Sequence, residues 1–198
     1  MGARYYKSNC GNVTLSAGNK KLDKSIAIFN LPAGKQYSCG CDCPGCYAKK
    51  VQYVYPQVLP CRIKNWEASK SNNFVTMFCE ALNKAIKAGC TVVRLHESGD
   101  LYSLDYVYKL EEIAAKYPEI KFYYYTKTDY SVLGSNVNRV NSFLPDGNLN
   151  YGKLDYIKVM AQLHNIPVCP VTLQVKNAKC GKTCIMCQTV NNMLFVIH

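Results

Sequence analysis

An α/β fold built from parallel βαβ units is predicted by three observations. Short β-branched or aromatic runs alternate with helical patterns at roughly thirty-residue intervals, the signature of parallel strands joined by helices. The segments that follow those runs are polar, as loops at the ends of buried strands are. The 198 residues, 48% of them hydrophobic, suffice to bury one substantial core, so the chain reads as a single domain spanning residues 1–198.

Residues 1–24 carry Asn, Ser, Gly and Lys with isolated apolar positions and predict an irregular or short-hairpin segment. A βα core follows over residues 25–168. Its first strand is the β-branched run Ser25 to Leu31, bounded by Pro32-Ala-Gly34. Phe74, Phe78, Ala81, Leu82, Ala85 and Ile86 recur at three and four residues and predict an amphipathic helix over 71–87, with Gly89 as its stop. Thr91 to His96 is the second strand, and Ser103 caps a helix that Pro118 closes. Lys121 to Thr126 is the third strand. Residues 130–140 read as a short helical or irregular piece, and Pro145-Asp-Gly147 as a turn. Leu154, Ile157, Met160 and Ala161 predict a helix ending before Pro167, and Val168 to Val175 a strand. The segment 169–198 adds a cysteine group and a last strand over Met193 to Ile197.

Composition narrows the chemistry. No apolar run approaches the roughly 20 residues that span a bilayer, so no membrane partner is expected. The N-terminus lacks a charged segment followed by an apolar stretch, which predicts a soluble, cytoplasmic protein. In a reducing compartment twelve cysteines favour metal ligation over disulfides. The formal charge of +11 suits nucleic acid or phosphate, but the lysines are scattered and ligating thiolates would offset them. No glycine-rich phosphate loop and no Ser/His/Asp constellation is evident.

The densest chemistry lies in the loop 37–48, where Cys39, Cys41, Cys43 and Cys46 fall within eight residues. Cys39, Cys43 and Cys46 have the spacing C-x3-C-x2-C. Three thiolates can hold three irons of a [4Fe–4S] cube and leave the fourth open to a small ligand. With Cys41 as a fourth ligand, a closed cluster or a zinc tetrahedron fits equally in number. Loops after parallel strands gather at one end of the sheet, which would bring this loop together with Glu97 to Asp100 and with Lys127 to Asp129.

The spacing and its place after the first strand resemble the radical S-adenosylmethionine superfamily. That resemblance implies a partial (β/α) barrel in which the open iron chelates S-adenosylmethionine, whose C–S bond is then cleaved reductively to a 5′-deoxyadenosyl radical. Cys39, Cys43 and Cys46 would be the ligands, and an electron donor such as flavodoxin a partner. Gly45 stands where an aromatic commonly precedes the last cysteine, leaving Tyr37 and Tyr47 as stacking residues. His96-Glu97-Ser98-Gly99-Asp100 stands in place of the family's Gly-Gly-Glu-type loop. The cofactor-binding candidates are thus Tyr37, Tyr47, His96, Glu97, Ser98, Gly99, Asp100 and Lys127; no catalytic residue is singled out. The stretches Pro-Gly-Cys-Tyr-Ala, Arg-Leu-His-Glu-Ser-Gly-Asp-Leu-Tyr-Ser and Phe-Tyr-Tyr-Tyr-Thr-Lys more closely resemble a phage-encoded family named after gene product eighty-eight. That family looks like a shortened radical-SAM-type protein and implies the host cytoplasm as the compartment.

Cys169, Cys180, Cys184 and Cys187 form a second group whose last three repeat the C-x3-C-x2-C spacing. Four thiols suit a second [4Fe–4S] cluster or a zinc ion. Cys10, Cys61, Cys79 and Cys90 read as buried free thiols, and Arg94 as a partner for a carboxylate. Tyr123 to Tyr125 must alternate between the two faces of a strand, though exposed tyrosines with lysines would also suit single-stranded nucleic acid. Two functions stand against each other: an iron–sulfur enzyme acting on S-adenosylmethionine with an unknown substrate, and a metal-stabilised binding protein that engages a host protein or nucleic acid without catalysis.

Overall fold

A computed structural model describes residues 4–19, 22–40, 43, 45–142, 151–152, 154–170, 178, 180, 182 and 184–196. The architecture is α/β, with a mixed six-stranded sheet in which every strand lies beside its successor. Strands β1 (Arg4–Lys7), β2 (Thr14–Ala17), β3 (Ile26–Phe29), β4 (Val92–Leu95), β5 (Lys121–Thr126) and β6 (Val137–Asn141) follow in that order across the sheet. β1, β2 and β3 pair antiparallel; β3 to β6 are parallel. The segment before residue 24 is therefore a hairpin that extends the sheet. A separate pair joins β7 (Tyr151–Gly152) to β8 (Phe195–Val196).

The parallel strands alternate with helices as their sequence pattern requires. α3 (Phe74–Lys87) buries Phe74, Phe78, Ala81, Leu82 and Ala85 along one stripe. α4 (Leu104–Lys116) begins at Ser103, whose hydroxyl accepts the Tyr106 amide at 3.2 Å. Both helices cover the sheet face made by Ala27, Phe29, Val93, Leu95, Phe122 and Tyr124. Phe29 meets Phe78 edge-on at 5.1 Å, and each such fully buried side chain contributes about 1.5–3 kcal/mol. The opposite face carries Ile26, Ile28, Val92, Tyr123 and Val140, and it packs against Cys169, Cys187 and Met193. Tyr123 and Tyr124 thus face opposite sides, as the pleat demands.

Two helices carry no apolar stripe in the sequence. α1 (Tyr47–Val54) buries Ala48 and Gln52, and α2 (Val58–Lys70) buries Arg62, Asn65, Ala68 and Ser69. Hydrogen bonds dock these helices. The Asn65 amide pairs with both backbone groups of Thr14, at 2.8 and 3.0 Å, and donates to Asn30 O at 2.9 Å.

Residues 130–136 are irregular, one of the two forms expected for 130–140, but the edge strand β6 begins at Val137. Its polar sequence Val-Asn-Arg-Val-Asn is stabilised by pairing with β5, and Asn136 just before it donates to the carbonyls of Ala114, Tyr117 and Ile120. α5 spans Leu154–His164. Of the strand expected over 168–175, Val168 forms an isolated bridge to Leu194 while residues 171–175 lie outside the described ones, as does the turn at 145–147. The last strand is β8, within the expected 193–197. Cys90 is buried as expected, whereas Cys10 is exposed at the hairpin turn and Cys61 and Cys79 are half-buried on helices.

Candidate functional site

The loop after β3 is built from backbone contacts that polar side chains complete. Gln52 of α1 clasps Ala33, accepting from its amide at 3.0 Å and donating to its carbonyl at 2.9 Å. Ser38 donates to Pro32 O at 2.8 Å, and the amides of Tyr37 and Cys39 reach Gly34 O at 2.9 and 3.3 Å. Cys46 then starts α1, while the buried Arg62 donates to Ala48 O at 3.0 Å and fixes that helix from α2. The loop is thereby held between β3 and α1.

The loop after β4 locks onto it. Leu31 donates its amide to Ser98 O at 2.9 Å, Ser98 Oγ donates to Leu31 O at 2.9 Å, and Asn30 Oδ1 accepts the Ser98 amide at 3.0 Å. Gly99 has φ +87°, and a Cβ there would lie 2.6 Å from both Leu31 Cβ and Ser38 Oγ. Asp100 is buried and accepts from Leu101 N at 2.8 Å, Thr126 Oγ1 at 2.7 Å and Lys127 N at 3.0 Å. Burial raises its pKa, against the lowering effect of these bonds. The carboxylate so ties the loop after β4 to the loop after β5.

Lys127 completes the convergence, with Nζ 3.1 Å from Cys43 Sγ. Cys39, Cys43 and Cys46 are all half-buried. Burial raises the pKa of the Cys39 thiol, a backbone bond at Gly34 opposes that, and nearby Asp100, Cys46 and Cys43 raise it further. Beside them opens a cavity of ≈ 450 Å³ lined by Gly40, Lys127, Thr128, Asp129 and Tyr130. The three loops anticipated from the sequence meet at the C-terminal ends of β3, β4 and β5. Cys41 lies outside the described residues.

The remaining candidates divide. Tyr47 is 59% exposed, but its hydroxyl is tucked in and donates to Glu97 O. Burial of that tip raises its pKa, opposed by Arg94. Glu97 accepts from Asn19 at 3.0 Å and lies 3.7 Å from Arg94 Nη1, the carboxylate contact expected for that arginine. Tyr37 turns its ring edge-on to Trp66 at 5.6 Å. His96 faces the helices: it takes φ 61°, and Nε2 sits 2.8 Å from the Tyr106 hydroxyl of α4. Burial lowers its pKa to about 3, so the ring is neutral. Sequence position put His96 at the loop end, but the left-handed turn directs its side chain into the core.

The second cysteine group lies on the other face of the sheet. Cys169 and Cys187 are buried there, Cys180 packs beside them, and the backbone of Cys180 forms an isolated parallel β-bridge with that of Cys184. Tyr125 donates its hydroxyl to Cys187 Sγ at 2.6 Å. Burial pushes the Cys180 thiol up to about 12, and Cys187, Cys169 and Cys184 add to that rise. Arg94, with its guanidinium 5.1 Å from the Tyr125 ring, lies among these residues. Burial works against its charge, but Tyr123, Tyr125, Tyr47 and Glu97 outweigh it and raise its pKa. The sequence placed Arg94 only as a carboxylate partner; its β4 register with Val92 already assigned it to this face. Among the described residues, no three His, Cys, Asp or Glu side chains stand at the spacing of a single metal ion.

Among known families, the one described as Gene product 88 matches residues 7–151. The Gene 88 protein of Mycobacterium phage L5 is 23% identical over 211 aligned positions, covering 89% of this chain and 84% of that protein. No solved structure gives a significant match.

Proposed function

We propose, from the premise that this chain belongs to the Gene product 88 family, that it is an iron–sulfur enzyme of the radical S-adenosylmethionine type. Cys39, Cys43 and Cys46 would hold a [4Fe–4S] cluster with one iron open to S-adenosylmethionine. The family and its phage relative supply the kind of gene product; neither name states an activity. The single observation that carries the reading is the contact of Cys43 with Lys127 where the three strand-end loops converge.

The donor set fits such a group. Three soft thiols on one loop are half-buried, open on one side, and one lies under an ammonium. A polynuclear cluster also spaces its thiolates more widely than a single ion does. When bound, the cluster supplies the electron for reductive cleavage of the sulfonium C–S bond, an electron taken in turn from a donor such as flavodoxin. The chain's own residues position and neutralise. Lys127 offsets thiolate charge and presents a cation to a ligand carboxylate in the adjoining cavity, while Asp100 fixes the Lys127 backbone and so the direction of that side chain. Ser98 and Gly99 press the loop after β4 against the cysteine loop. We read the order of β3 to β6, each beside its successor, as a partial (β/α) barrel with its site at the strand C-termini.

Anaerobically purified protein tests this directly. It should be brown, absorb broadly near ~400 nm from thiolate-ligated iron, and contain iron and sulfide. Its reduced paramagnetic resonance spectrum should change on adding S-adenosylmethionine. Cys39→Ala, Cys43→Ala and Cys46→Ala should each remove that signal and Cys41→Ala should spare it. A colourless chain carrying zinc alone would overturn the enzyme reading and favour a metal-stabilised binding protein.

A further inference from the structure

α1 and the turn after it are amphipathic in the reverse sense. At 3.6 residues per turn, the face opposite the buried Ala48 and Gln52 carries Tyr47, Lys50, Tyr53 and Val54, all exposed, and Tyr55 follows at the helix end. Tyr53 and Tyr55 are 62% and 53% exposed. The helix thus turns an amide inward and its rings outward. Its docking does not use those rings, since Gln52 clasps Ala33 and Arg62 donates to Ala48 O. Scattered exposed apolar side chains need no explanation, whereas a contiguous row of them marks an interaction surface.

Charge selects the partner. From Lys24 to Trp66 the chain carries six lysines and arginines and a single acid, Asp42. Lys50 and Lys64 are exposed and enter no ion pair among the described residues. Beneath α1 the Arg62 guanidinium donates to neutral acceptors, Ala48 O at 3.0 Å and Gln52 Oε1 at 3.4 Å. The acids that border the surface already face cations: Glu97 lies 3.7 Å from Arg94 Nη1, and Glu67 is 2.8 Å from Lys70 Nζ. Tyr108 of α4 supplies the contrast, because it is also 62% exposed but has Asp105, Glu111 and Glu112 one turn away. Rings in a positive field suit a polyanion that has flat faces of its own. An acidic peptide would meet the lysines and leave the rings unused. A bilayer surface calls for aliphatic side chains, and Val54 is the one such residue in the row.

We propose that this surface binds single-stranded nucleic acid, with bases stacked on Tyr53 and Tyr55 and a phosphate held by Lys50. Stacking on aromatic side chains tolerates any sequence but requires unpaired bases, so a duplex is held through charge alone. α1 begins at Cys46, and a strand lying along it therefore reaches the cysteine loop. The surface uses none of the cysteines and stands whether or not that loop holds iron.

Fluorescence anisotropy of labelled oligo(dT) and oligo(rU), each about twenty nucleotides long, tests this with the full chain at ~50 mM salt. At least one should bind, more weakly as salt rises, and the matching duplex should bind at least about tenfold less tightly. The difference between the two oligomers separates DNA from RNA. Tyr53→Ala should weaken binding about tenfold, whereas Tyr53→Phe keeps the ring and should preserve it. Lys50→Gln should weaken binding and lower the salt slope by about 0.7. Tyr108→Ala is the control and should change nothing. Each substitution alters an exposed side chain, so the circular dichroism spectrum should stay the same. Absence of binding to both oligomers, equal affinity for the duplex, or equal losses in Tyr53→Ala and Tyr108→Ala would overturn the proposal. A salt slope unchanged in Lys50→Gln would refute its phosphate contact. Tyr53-dependent sedimentation with phosphatidylserine vesicles, or Tyr53-dependent self-association, without oligomer binding would assign the surface to a bilayer or a second copy instead.

Discussion

Gly99→Ala isolates the fit between the two loops that build the candidate site. At φ +87° an alanine is in the left-handed region, which costs roughly 1–2 kcal/mol. The added methyl would also lie 2.6 Å from Leu31 Cβ, an atom fixed to the backbone, and 2.6 Å from Ser38 Oγ. Relieving such overpacking typically costs about 1–3 kcal/mol, so the expected loss is about 2–5 kcal/mol. That is a large part of a typical total of about 5–15 kcal/mol. Gly11→Ala supplies the control, because Gly11 has φ +74° with nothing within 4 Å of the added carbon. It should show only the conformational part. Equilibrium urea unfolding of both variants, followed by circular dichroism with the slopes compared, gives the difference. If Gly99→Ala lost no more than Gly11→Ala, the two loops would not be in the contact described. Because Ser38 holds Pro32 O at 2.8 Å, displacement of Ser38 should also, on the proposed cluster reading, lower iron occupancy of the first cysteine group.

Three further outcomes are expected. Burial lowers the His96 pKa from 6.5 to about 3, so the unfolded chain binds the proton first. This contribution is complete above pH 6.5 and is lost as pH falls toward the folded value; at pH 5 the loss is about 2 kcal/mol, and His96→Asn, which tolerates the positive φ, should flatten the stability–pH curve over that window. Asn65→Ala leaves both Thr14 backbone groups and Asn30 O without this partner in a buried position, and urea unfolding should show a loss of about 2–4 kcal/mol. Lys127→Met keeps the backbone bond to Asp100 but removes the ammonium, so on the proposed reading calorimetry should show S-adenosylmethionine binding about tenfold weaker with little change in unfolding.

The legible parts of this fold are those where apolar spacing and burial coincide. The stripe of α3, the cap at Ser103 and the runs of β3, β4 and β5 all follow from that rule. α1 and α2 escaped it because their buried faces are Gln52, Arg62, Asn65 and Ser69, held by directed hydrogen bonds that leave no hydrophobic period. β6 escaped because its stability comes from β5, not from its own residues. At the site, strand order alone brought Asp100 and Lys127 to the cysteine loop. The direction of His96 was not readable, since its positive φ depends on the packing of a neighbouring turn. Arg94 was legible as a carboxylate partner, which Glu97 supplies, but its approach to the Tyr125 ring depends on which strand lies beside β4.

The face occupied by the second cysteine group has a history that its finished form conceals. Leu22 pairs with Cys180, and Asn141 with Asn192, so a stretch made after the sheet bridges to positions flanking the parallel strands. On the ribosome, the residues of β3 to β6 are made before that stretch. At about 5–20 residues per second, the fifty or so residues after β6 take roughly 3–10 s to make. Throughout that interval Ile26, Ile28, Val92, Tyr123 and Val140 lack the cover that Cys169, Cys187 and Met193 later supply. The nascent sheet therefore has one side uncovered until residues 169–193 have been made.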